Sequence, residues 1–236
     1  MGAAGLGGNY VVRVTTPGPL ALVGGGEWRE GCAFDAWLLE ASGGHEVVVL
    51  PTAAAYEHPE RAVETATRWF EGLGAKVRAL PVLRRPDAED EANVAAVREA
   101  RFVYLGGGSP LHLRSVLKSS ALWHALVTTW NEGAVVAGSS AGAMVLSDPM
   151  VDPRGGAFTL GLGLVAQVAV VPHADAWSPE KWHRTISLAP PDLPVVGIDE
   201  RTALVLHPHE GWTAHGAGAV RVWLNGAAAG LDVLPD

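Results

Sequence analysis

Through residue 146 the chain repeats one alternation: a short apolar run, a glycine or proline, then a segment with helical spacing. Leu20–Val23 ends in Gly24-Gly25-Gly26, and Phe34, Trp37 and Leu38 follow on one helical face. Val47–Leu50 is closed by Pro51, and Ala62, Ala66, Trp69, Phe70 and Leu73 recur at helical spacing up to Gly74. Val77–Leu80 precedes a charged amphipathic segment, Asp87–Ala100. Phe102–Leu105 runs into Gly106-Gly107-Gly108, with helical segments to Trp130, and Ala134–Ala137 runs into Gly138. Apolar runs with no polar alternation suit strands buried on both faces, and strands alternating with helices predict a doubly wound, mostly parallel sheet. After about residue 190 the rhythm changes. Val195–Ile198, Ala203–Leu206, Gly211–Ala214 and Ala219–Leu224 are joined by short turns, which predicts a C-terminal antiparallel β meander at the sheet edge. With no repeat or long linker, the expectation is one α/β domain over residues 1–236.

Composition narrows the function classes. Hydrophobic residues make up 48% and charged residues 18%, too apolar for a disordered chain. The net charge of −8 leaves no basic footprint for nucleic acid. Cys32 is the one cysteine, so an intramolecular disulfide is impossible, and its expected place is the core. Met1–Gly8 has no basic region and reads as no signal peptide, and Leu6 breaks the myristoylation pattern. The uncharged stretch 155–172 holds Gly155, Gly156, Gly161 and Gly163, and reads as loop plus buried strand rather than a membrane span. The expected location is cytoplasmic.

Gly138-Ser139-Ser140-Ala141-Gly142 fits Gly-x-Ser-x-Gly, the pattern of a serine on a sharp strand-to-helix turn. In a chain with 29 glycines the pattern alone arises easily by chance. Its context adds weight: an apolar strand precedes it, and the apolar helix start Ala141–Leu146 follows. Ser140 is the candidate nucleophile. An oxyanion needs bare N–H groups, and Gly107 or Gly108 with Ala141 could supply them from neighbouring strand ends. Of nine histidines, His173 alone closes an apolar run, Val165–Val171 plus Pro172, at a strand end, and is the candidate base. His207-x-His209 could suggest a metal but lacks a third ligand at a usable spacing, so no metal is expected.

Four stretches together resemble the cyanophycinases and aspartyl dipeptidases, serine peptidases with a class I glutamine amidotransferase-like fold. They are Gly106-Gly107-Gly108, Gly138-Ser139-Ser140-Ala141-Gly142-Ala143, Pro172-His173, and Gly197-Ile198-Asp199-Glu200-Arg201-Thr202-Ala203-Leu204. The resemblance implies a serine nucleophile at Ser140, a base at His173, cleavage of a peptide or related amide bond, and no cofactor. It departs in places. Cyanophycinases carry Asp-Gln where this chain has Val171-Pro172, whereas the dipeptidases have the Pro-His found here. Ser109 stands where relatives often have Asn or Asp, and Arg184 is the only arginine in 178–188, a helix the family uses to hold acidic substrate groups.

For the acid of the triad, the resemblance points to the segment after the elbow helix. Asp148 and Asp152 are available there, and Asp152 fits the family pattern better. Asp175 is the rival, at the His-x-Asp spacing of the amidotransferase relatives, and Glu200 is expected to line the pocket or anchor the hairpin. Ser109, Asp175, Arg184 and Glu200 are thus the expected substrate-side residues. The leading expectation is a serine peptidase of dipeptidase type acting on a small peptide or amide, with aspartyl peptides as the preferred class. The alternatives are an amidase or esterase on the same machinery, or a silent small-molecule binding protein. No nucleic acid or membrane partner is expected, and a homodimer is left open.

Overall fold

A computed structural model describes residues 16–235. The Met1–Gly8 segment, with its expected lack of a signal peptide and of a myristoylation pattern, lies outside them. The chain forms β1 (Leu20–Val23), α1 (Phe34–Ser42), β2 (Glu46–Leu50), α2 (Pro59–Gly72), β3 (Lys76–Ala79), α3 (Glu91–Glu99), β4 (Phe102–Leu105), α4 (Pro110–Leu117), α5 (Ala121–Asn131), β5 (Val135–Ser139) and α6 (Ala141–Leu146). Four two-residue strands follow: β6 (Ser147–Asp148), β7 (Met150–Val151), β8 (Phe158–Thr159) and β9 (Val165–Ala166). The rest is β10 (Ala169–Pro172), α7 (Pro179–Ser187), β11 (Val195–Ile198), β12 (Thr202–His207), β13 (Gly211–Gly216), β14 (Val220–Leu224) and β15 (Ala227–Ala229).

The central sheet has the order β13-β12-β1-β5-β4-β2-β3, and β1 to β5 are mutually parallel. Its strands feed two separate cores. Leu20 and Leu22 face one core with Val94, Leu113, Leu122 and Val145, while Ala21 and Val23 face the other with Leu38, Ala66 and Phe70. A strand with helices on both faces buries odd and even residues alike, which is why its sequence reads as an unbroken apolar run. Cys32 lies fully buried in the second core, as expected. No helix of the described residues is long and apolar enough to cross a membrane.

The expected C-terminal meander is replaced by an exchange between two sheets. β12 and β13 extend the central sheet, with Leu20 opposite Leu206 across the antiparallel β1–β12 pair. β11, β14 and β15 join β10 in a second, four-stranded sheet, where β10 and β11 run parallel with Pro172 opposite Ile198. The short turn Asp199–Arg201, with Arg201 at φ 56°, therefore carries the chain from one sheet to the other and is not a hairpin. Asp199 fixes this corner through a two-point contact with Arg221, at 2.7 and 3.1 Å, and by accepting from the Ala219 N–H at 3.0 Å. Glu200 sits at the corner itself.

Candidate active site

Ser140 occupies the turn between β5 and α6 with φ 50° and ψ −108°. A non-glycine residue there stores roughly 1–3 kcal/mol of strain. The surroundings hold it in place: the Ser140 N–H donates to Val23 O at 2.9 Å, and its carbonyl accepts from Met144 N–H at 3.0 Å. The flanking glycines have steric causes. A Cβ on Gly138 would lie 2.6 Å from the Gly142 carbonyl carbon, and one on Gly142 would collide with the Leu105 carbonyl. Only glycine at both positions lets α6 turn back this tightly over β5 and β4.

His173 follows β10, in the left-handed region at φ 51°, and its N–H donates to Gly24 O at 2.7 Å. Its Nε2 is 2.9 Å from Ser140 Oγ, and its Nδ1 is 2.8 Å from Glu200 Oε1. Gly25, at φ 111°, makes room for the ring, since a Cβ there would lie 2.6 Å from Nε2. A carboxylate only accepts, so Nδ1 carries the proton and donates it in a hydrogen bond to Glu200, which leaves Nε2 to accept from the Ser140 hydroxyl. The side chains of His173 and Glu200 are 36% and 41% exposed, so the series opens to solvent on one side.

The acid facing His173 is therefore Glu200 rather than Asp152. Asp152 is bound to Arg154, with contacts of 2.9 and 2.7 Å to the guanidinium and 2.8 Å to its N–H. Arg154 holds the Asp152 carboxyl well below its usual range, at about 2. The loop bearing this pair is laid on α7: Lys181 Nζ donates to Pro153 O, and Gly156 N–H donates to Thr185 Oγ1. Asp148 accepts from Gly161 N–H at 2.7 Å. Asp175 does not face the imidazole; its Oδ1 accepts from the backbone N–H of Glu200 at 3.1 Å. Sequence reasoning missed the partnership of Glu200 because it depends on β10 lying beside β11. Once Pro172 opposes Ile198, the residues just past both strand ends become neighbours.

The glycine loop after β4 is close to the elbow: a Cβ built on Gly107 would be 3.4 Å from Ser140 Cβ. The Gly107 N–H is already engaged, donating to Glu27 Oε1 at 3.2 Å. Among the described residues the N–H groups of Gly108 and Ala141 have no acceptor. Gly108, at φ 133°, lies against the Ala53 carbonyl, where a side chain would collide. Ser109 caps α4, its Oγ accepting from His112 N–H at 3.3 Å. Arg184 is exposed on α7 and directs one nitrogen to Arg154 O at 3.3 Å. Trp182 is a packing residue. Its ring lies 4.6 Å from that of Trp223 and covers Gly197, and its Nε1 donates to Ala174 O.

Among the described residues no group of three His, Cys, Asp or Glu side chains is placed to hold a metal ion. Burial pushes the Cys32 thiol up to about 11, far from the thiolate that nucleophilic chemistry would need.

Comparisons with known proteins place the chain among peptidases. The chain is 30% identical to a cyanophycinase of Nostoc over 190 residues, covering 75% of this chain and 62% of that protein. It is 28% identical to an uncharacterized peptidase, YgaJ, of Bacillus subtilis over 176 residues, covering 71% of this chain and 74% of that protein. The chain spans about 60% of the length of the cyanophycinases it matches. Among solved structures, a peptidase from an acI-B1 actinobacterium superposes with a TM-score of 0.82 at 31% identity, covering 92% of this chain and 94% of that one. A putative peptidase E from Listeria monocytogenes has the same fold, with a TM-score of 0.67 at 18% identity over 86% of this chain and all of that one. The model of peptidase family S51 matches residues 20–212, which take in the elbow, His173 and Glu200, and the chain belongs to that family.

Proposed function

We propose that this chain is a serine-type peptidase that cleaves a small peptide or amide bond through an acyl-enzyme on Ser140. The observation that carries the reading is the hydrogen-bonded series Ser140–His173–Glu200, at 2.9 and 2.8 Å, on a backbone strained at the serine. Ser140 Oγ attacks the carbonyl carbon as its proton passes to His173 Nε2. Glu200 keeps the imidazole in the tautomer that can accept this proton and stabilises the imidazolium that forms. The oxyanion is received by the N–H groups of Gly108 and Ala141, the latter at the N-terminus of α6. Collapse breaks the C–N bond, and His173 returns the proton to the leaving amine. Water then gives a proton to His173 and its oxygen to the acyl carbon, and Ser140 leaves with that proton. The sequence of steps requires no metal or organic cofactor, and the lone cysteine suits a cytoplasmic enzyme.

For the substrate, the reading favours a short peptide with N-terminal aspartate. Arg184, exposed on α7 and with no ion pair among the described residues, supports it, because a guanidinium can grip a carboxylate at two points. Asp175 is better used supporting the Glu200 backbone than contacting substrate. Val171-Pro172 before the base speaks against the aspartate–arginine polymer that cyanophycinases cleave. A dipeptide panel tests both levels. Wild type should cleave Asp-X with kcat/KM about tenfold or more above Leu-X and Ala-X, and Arg184→Ala should erase that preference. Equal rates on all three remove the acidic preference, and cleavage of any of them by Ser140→Ala removes the serine mechanism.

A further inference from the structure

Glu27 lies just past Gly24-Gly25-Gly26, in the loop that follows β1. Its two carboxylate oxygens hold two different elements. Oε1 accepts from the Gly107 N–H at 3.2 Å, in the loop after β4. Oε2 accepts from the Ser139 hydroxyl at 2.8 Å, on the last residue of β5 and next to Ser140 in the chain. Ser139 is fully buried, and its hydroxyl has no other partner among the described residues. One side chain thus ties together the carboxyl ends of the three neighbouring strands β1, β5 and β4, where the active-site loops converge.

The tie has a consequence for the oxyanion site. With the Gly107 N–H turned onto Glu27, the donor left on this loop is the Gly108 N–H. A glycine loop has no side chain to fix its peptide planes, so an external clamp must set that direction. Resting on the acyl-enzyme reading above, we infer that Glu27 is a positioning residue. It locks the Gly107 peptide and the Ser139 side chain to one carboxylate, so that the Gly108 and Ala141 N–H groups converge on the oxyanion beside Ser140. Among the described residues it makes no hydrogen bond to the side chain of Ser140 or His173. Its effect falls on the step that builds negative charge on oxygen, and not on ground-state binding.

Inactivation of the full-length protein by a fluorophosphonate tests this, because phosphonylation develops the same oxyanion on the same serine. Glu27→Ala should lower the maximal inactivation rate by about 10² while leaving the half-saturating probe concentration within about twofold. Glu27→Gln keeps an acceptor for Gly107 and a polar group for Ser139, and should recover most of the rate. Glu27→Asp is one methylene too short to span both partners and should behave like Glu27→Ala, which keeps the test open if the alanine variant folds poorly. Ser139→Ala leaves the Gly107 arm in place and should lose only a fewfold. The inference is overturned if Glu27→Asp reacts at the wild-type rate, or if the glutamine variant is as slow as the aspartate variant. It is also overturned if any Glu27 variant reacts faster than wild type, since the carboxylate would then be obstructing the site. Failure of the wild type itself to react would overturn the acyl-enzyme reading, and the positioning role with it.

Discussion

His173 and Glu200 meet at 2.8 Å because the strands that carry them are parallel neighbours, with Pro172 opposite Ile198 one step before the contact. Glu200→Gln should preserve the fold and lower kcat by about 10⁴, because the amide can stabilise the wrong imidazole tautomer. Asp152→Asn, which alters only the pair with Arg154, should change kcat by less than about threefold. Steady-state kinetics on both variants check this. The reverse ranking would return the acid role to Asp152.

Gly25→Ala should be far more damaging than its size suggests. A Cβ there would enter the space of the His173 ring, and φ is 111°. Displacing the ring breaks both of its hydrogen bonds, so activity should fall by 10² or more, and the strained backbone should cost about 1–3 kcal/mol in a denaturant melt. Gly43→Ala is the control. It too has positive φ, but it meets nothing within 4 Å and should cost stability alone.

Asp35 is fully buried, with Oδ2 accepting from Trp69 Nε1 at 2.9 Å and Oδ1 unpartnered. Burial raises its carboxyl well above the usual range. The native state therefore keeps a proton that the unfolded chain releases above about pH 3.9, and stability falls as pH rises from there towards the native pKa. Asp35→Asn keeps an acceptor for Trp69 and has no charge to bury. It should be more stable than wild type at neutral pH, and the difference should vanish below about pH 3.9. Denaturant melts across this range provide the check.

Cys32 should be inert. With its thiol raised to about 11 by burial, the native protein should resist a thiol-modifying reagent at neutral pH and react only when unfolded. Cys32→Ala should keep full peptidase activity.

The parts of the structure legible from sequence were those set by local pattern. The strands β1, β2, β4 and β5 read as apolar runs because both faces are buried, whereas the edge strand β3 exposes Lys76 and Arg78, and the elbow read as Gly-x-Ser-x-Gly because Gly138 and Gly142 have no room for a side chain. His173 stood out because it closes such a run. The charged helix begins at Glu91 instead of Asp87, since Asp90 caps it and Asp87 is taken up by the N–H groups of Leu83 and Arg84. Contacts between distant segments were not legible. Nothing local in Val195–Leu224 says that β11 and β14 belong to one sheet and the two strands between them, β12 and β13, to another, and without that exchange Glu200 looks like a hairpin residue. Glu27 carried no signal at all, because its role depends on two backbone segments, near 107 and 139, that only the folded sheet brings to it.

The most direct test is a peptide map of the protein after reaction with a fluorophosphonate. One adduct is expected, on Ser140, in wild type and in Ser139→Ala, with none in Ser140→Ala and a strongly slowed reaction in Glu200→Gln. An adduct on Ser139, or undiminished labelling of Ser140→Ala, would contradict the assignment of Ser140 as the nucleophile.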